Sequence, residues 1–90
     1  MQFEFDPEKN RSVLRKHGVS REQAQEIFDQ AYLVDKKCAN SEQYRAIGWA
    51  GGQLCSVIFE IRSDAAGDRY RLITAWKATR QEQEAYAEQI

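Results

Sequence analysis

"EQYRAIGWAGGQLCSVIFEIR", residues 42–62, consists of two largely apolar runs hinged on Gly51-Gly52. Paired glycines accept the positive φ angles that a tight hairpin turn demands, so the stretch predicts an antiparallel β-hairpin. In its second arm Cys55, Val57, Phe59 and Ile61 alternate with Leu54, Ser56, Ile58 and Glu60, the two-residue period of a strand. Downstream, "SDAAGD" (63–68) reads as another turn and "RYRLITAWK" (69–77) as another strand. There Arg71, Ile73, Ala75 and Lys77 are expected to lie opposite Tyr70, Leu72, Thr74 and Trp76. Upstream, "YLVDKK" (32–37) is a short strand candidate. No crossover helix separates these segments, which favours antiparallel neighbours.

Helix signals flank the β region. In "FDPEK" (5–9), Asp6 suits an N-cap and Pro7 the first helical position, where no N–H is needed. That helix is expected to run through Val13, Leu14 and His17 and to stop at Gly18. "SREQ" (20–23) is a capping box, followed by an apolar stripe of Ala24, Ile27, Phe28 and Ala31. "TRQE" (79–82) is a second capping box, but its helix has little beyond Ala85, Tyr86 and Ile90 to bury, which suggests loose docking or a partner. The sum is a small α+β domain spanning residues 1–90. It has an antiparallel sheet, an N-terminal helical hairpin and a C-terminal helix, with the helices on one face.

Ninety residues suit one domain. No apolar run approaches the roughly 20 residues that span a bilayer, and "MQFEFDPEKN" has no apolar leader, so a cytoplasmic protein without a membrane role is expected. Cys38 and Cys55 form no CxxC pair and fit reduced thiols, with Cys55 buried. With a single histidine besides, neither a metal site nor a cofactor is indicated. The net charge of −1 conceals a split: Arg62, Arg69, Arg71, Lys77 and Arg80 outnumber acids before the last helix, and Glu82, Glu84 and Glu88 follow on it. This permits a basic patch on a near-neutral chain.

The blocks "FDPEK…LRKHGVS…A…IF", "YRAIGWAGGQLCSVIFEIR" and "YRLITAWKATRQEQEAY" resemble, in this order and spacing, the BrnT toxins of type II toxin–antitoxin pairs. The resemblance runs from about residue 3 to residue 87. It implies a RelE-like ribonuclease fold, RNA cleavage that inhibits translation, and neither metal nor cofactor. It also implies a BrnA-like antitoxin, through which alone the protein would meet DNA. The chain departs from the family pattern at Phe5, Val13 and Arg21, and at Trp76 and Gln83, where basic residues are usual.

Metal-free RNA cleavage needs proton carriers and cations around the phosphorane-like transition state. The resemblance implies His17, Lys16 and Arg80 as catalytic candidates, and Arg45, Lys77 and Trp76 as RNA-binding ones. Each has a structural alternative. His17 can cap a helix C-terminus, Arg80 can pair with Glu84, and Trp76 can pack instead of stacking on a base. Without the basic residues at 76 and 83, a second reading stands beside the first: a catalytically degenerate toxin fold that binds an antitoxin or acts as a co-repressor.

Overall fold

The structure, a computed structural model, describes residues 2–4, 18–36 and 42–90. Its centre is a five-stranded sheet: β1 (Gln2–Glu4), β2 (Leu33–Lys36), β3 (Gln43–Ala50), β4 (Gln53–Asp64) and β5 (Gly67–Lys77). The spatial order is β1-β5-β4-β3-β2. The expected hairpin forms as read. Ala50 pairs with Gln53 around Gly51 and Gly52, whose φ angles of 58° and 78° are those of a two-residue turn.

The predicted fold class is corrected in three respects. The sheet is mixed, because β1 runs parallel to β5, with Phe3 opposite Tyr70. Among the described residues no N-terminal helical hairpin is seen: the region holds one short helix, α1 (Arg21–Glu26), followed by a 3-10 turn at Ile27–Asp29. The first arm of the expected hairpin falls in 6–17, outside the described residues. The second stops early because Ala24, Ile27 and Phe28 already exhaust its apolar contacts, while Ala31 is exposed. Finally, the two helices lie on opposite faces, and a bulge in β5 explains how.

Ile58 pairs with Thr74, but its neighbour Phe59 pairs with Leu72, leaving Ile73 as an extra residue on β5. Tyr70 and Leu72 therefore share a face with Ala75 and Lys77, not with Thr74 and Trp76 as strict alternation required. On the first face Cys55, Val57, Phe59, Leu72 and Ala75 form the core with Val19, Ala24 and Ile27 of the α1 segment. On the second, Ser56 and Ile58 are buried, and the C-terminal helix α2 (Arg80–Gln89) reaches across to Arg45, Trp76 and Ala31.

Gly48 lets α1 approach the sheet. A Cβ there would stand 2.8 Å from Ile27 Cγ2 and 3.2 Å from Tyr32 Cβ. Both neighbours belong to packed structure with no room to yield, so Gly48→Ala is expected to cost about 2 kcal/mol by overpacking. Urea unfolding, read as a lower midpoint at unchanged slope, checks this.

Both capping boxes form. Ser20 Oγ accepts from Gln23 N at 3.2 Å while Gln23 Oε1 accepts from Ser20 N at 3.0 Å. Thr79 Oγ1 accepts from Glu82 N at 3.2 Å while Glu82 Oε1 accepts from Thr79 N at 2.9 Å. Among the described residues no helix is long and apolar enough to cross a membrane.

Candidate functional site

The turn end of the β3–β4 hairpin gathers the residues of interest. Gly51 N donates to Glu26 Oε2 at 3.0 Å, tying the turn to α1. On the other side of β4, Ala78 N donates to Leu54 O at 2.9 Å and carries the chain from β5 into α2. Gly18, at φ 70°, lies beside the end of β5: a Cβ on it would stand 3.7 Å from Lys77 Cε. The last residue of "KHG" thus meets the first of "KATRQE".

Lys77 is exposed, and among the described residues no carboxylate lies within ion-pair distance of it. Arg80 opens α2 with its side chain 94% exposed and reaches Glu84 Oε1 at 3.5 Å. A cation in the first turn opposes the helix dipole, and so exposed a pair adds little in compensation. Two accessible cations therefore stand where β5 passes into α2.

Arg45 and Trp76 are held on the α2 face of the sheet by Glu82. Trp76 Nε1 donates to Glu82 Oε1 at 2.9 Å, and Arg45 Nη1 approaches Glu82 Oε2 at 3.3 Å. Arg45 also donates to Asp35 from Nε at 3.0 Å and from Nη2 through a short contact. Asp35 and Arg45 are cross-strand partners, so the fork is aimed by register. The Asp35 hydrogen bond, outweighing burial, pushes the Arg45 guanidinium's pKa up.

Glu82 is buried. Burial alone would raise its carboxyl. That effect is outweighed by the Thr79 N–H, the Trp76 indole, the nearby Ser56 hydroxyl and the Arg45 charge, which together hold it below the ordinary glutamate range. α2 is thus docked by a polar cluster rather than by its thin apolar side. Tyr86 adds a hydrogen bond from its hydroxyl to Ala31 O at 3.1 Å, while Ile90 is left exposed.

Of the six expected site residues, Lys16 and His17 lie outside the described residues. Lys77 and Arg80 share one end of the sheet, and Arg45 and Trp76 share the Glu82 cluster. Sequence reasoning missed Glu82 as the organiser. Its capping-box position was visible, but its second role depends on residues 6 and 37 positions away. Gln83 is exposed, its Nε2 donating to Ala78 O at 3.0 Å. Cys55 is a free, buried thiol whose pKa burial pushes up. Among the described residues no three His, Cys, Asp or Glu side chains cluster as a metal site requires.

The fold is shared with a solved protein. The crystal structure of the Brucella abortus ribonuclease toxin BrnT superposes with a TM-score of 0.68 at 23% identity, covering 89% of this chain and 99% of that one. No curated protein matches the chain. The family description "Ribonuclease toxin, BrnT, of type II toxin-antitoxin system" matches residues 5–82, a span that includes the "KHG" block, the whole sheet from β2 to β5 and the first turn of α2. With both motif blocks inside that match and meeting at Gly18 and Lys77, the chain belongs to the BrnT family of ribonuclease toxins of type II toxin–antitoxin systems.

Proposed function

We propose that this chain is a metal-independent endoribonuclease that arrests translation, acting at the end of the sheet where Gly18 meets Lys77. The observation that carries the reading is that meeting: it brings the end of the "KHG" block beside the exposed Lys77, three residues before the exposed Arg80. His17 is one peptide bond from Gly18 and is the one side chain whose ordinary pKa lies near neutrality.

In the reaction, a base removes the 2′-hydroxyl proton and the freed oxygen attacks the adjacent phosphorus. The P–O5′ bond breaks, leaving a 2′,3′-cyclic phosphate, and the departing 5′ oxygen takes a proton from an acid. His17 and Lys16 are assigned the two proton transfers. Arg80 and Lys77 hold the phosphate and offset the charge that builds on its oxygens. Arg45 and Trp76, expected as direct RNA contacts, serve in this reading by fixing α2, and with it Arg80, through Glu82. The protein works in the cytoplasm, neutralised by a BrnA-like antitoxin that supplies any contact with DNA.

Inducing wild type, His17→Ala and Arg80→Ala at matched soluble levels tests the assignment. Wild type is expected to stop growth and bulk translation, and each variant to relieve the arrest. With purified protein, His17→Ala is expected to slow RNA cleavage about a hundredfold. Wild-type cleavage should persist in a chelator. Arrest by all three proteins would reject both residues.

A second reading, a degenerate fold serving as co-repressor, has one observation in its favour. Trp76 and Gln83, standing where basic residues are usual, are both engaged in hydrogen bonds within the fold. Absence of arrest by wild type would select it.

A further inference from the structure

The two tryptophans differ in what they offer a ligand. Trp76 is half-buried and its indole N–H is engaged by Glu82. Trp49, at 44% exposure, presents its ring to solvent from the last turn of the pleat before the glycine hairpin. It sits opposite Leu54, and Leu54 in turn receives Ala78 N from the other side. Ala78, Leu54 and Trp49 therefore form one row across the sheet. Two strand spacings, about 10 Å, separate the Trp49 backbone from Ala78, two residues before α2. Arg80 lies two residues past Ala78 and is exposed, while Lys77, paired with Cys55, belongs to the opposite face.

The geometry points to Trp49, on the ribonuclease reading above, as a stacking platform for an RNA base next to the phosphate held by Arg80. An exposed indole on a rigid strand, a short span from an accessible cation, is the combination single-stranded nucleic acid uses. Charge holds the backbone while an aromatic face takes a base of any identity. A protein anchor fits less well. The exposed Val34 and Ile61 belong to the opposite face by register, so they do not extend Trp49 into an apolar patch. Stacking also suits a substrate reached as a single strand, whose bases are free to splay out.

The test uses the full chain and a short labelled single-stranded RNA of mixed sequence, 2′-O-methylated throughout so that it binds without being cut. Fluorescence anisotropy of the RNA is compared for wild type, Trp49→Ala, Trp49→Phe and Arg80→Ala, with thermal melts confirming that all four fold. Trp49→Ala is expected to weaken binding about tenfold or more, and Trp49→Phe to restore most of it. On a cleavable RNA of the same sequence, Trp49→Ala should raise KM with kcat little changed. Equal binding by wild type and Trp49→Ala would overturn the platform. So would a Trp49→Phe variant as weak as alanine, or a Trp49→Ala variant that keeps RNA and loses only the antitoxin. Failure of wild type to bind or cut RNA would overturn the ribonuclease reading itself, and the platform with it.

Discussion

Replacing Glu82 with alanine is expected to destabilise the protein by about 3 kcal/mol, the cost of breaking a buried, hydrogen-bonded charge cluster. In a domain of this size that is a fall in Tm of roughly 15 °C. The loss has three parts. The Thr79 N–H loses its capping partner, the Trp76 indole is left without an acceptor, and Arg45 keeps only Asp35. Glu82→Gln separates charge from shape. Its carbonyl oxygen can still accept from Thr79 and Trp76 at the Oε1 position, but its amide must face the Arg45 guanidinium. About half the loss is expected, and thermal melts at neutral pH measure both.

The same carboxylate predicts a pH dependence with a definite sign. Its folded pKa lies below the ordinary value, so its contribution is fully present above about pH 4.3 and is lost as pH falls through the folded value. Wild type should therefore lose stability on acidification below that point faster than Glu82→Gln. Urea titrations at a series of acidic pH values give the comparison. Parallel curves for the two proteins would mean that folding leaves the Glu82 carboxyl's affinity for protons unchanged.

Glu82 also marks the limit of what the chain discloses when read linearly. Local chemistry was legible: both capping boxes and the Gly51-Gly52 turn depend on residues at most a few positions apart, and the structure forms each of them. Two things were not legible. The parallel pairing of β1 with β5 joins residues 2–4 to 69–71, and nothing local in three residues specifies a partner so distant. The bulge at Ile73 is a slip of one residue inside a strand whose apolar alternation looks regular, and it moves Tyr70 and Leu72 to the other face. For the site, the motif blocks named the cations Lys77 and Arg80, which do fall at one end of the sheet. The involvement of Arg45 and Trp76 with an acid from the last helix needed three elements brought together, which no spacing encodes.

The bulge leads to the largest loss expected from a single core change. Phe59→Ala should cost about 3–5 kcal/mol, the range for deleting a buried aromatic ring. Phe59 is 2% exposed and is the hub of an aromatic cluster. It stacks on Tyr70 at 5.1 Å and on Tyr44 at 5.7 Å, and meets Phe28 edge-on at 5.3 Å. Phe28 in turn contacts Tyr70 at 5.4 Å and Phe3 at 5.5 Å, so the cluster joins β1, the segment after α1 and the three central strands. Tyr70 can take part only because the bulge turned it to this face. Two positions along the same strand, Ile61 shares the face by alternation but is 44% exposed, beyond the end of β3. Ile61→Ala is therefore expected to cost under about 1 kcal/mol. Strict alternation treats the two residues alike; the observed packing separates them several-fold. Urea unfolding of the two variants side by side decides it, and equal losses would mean that the arm beyond Glu60 is packed as firmly as the centre of the sheet.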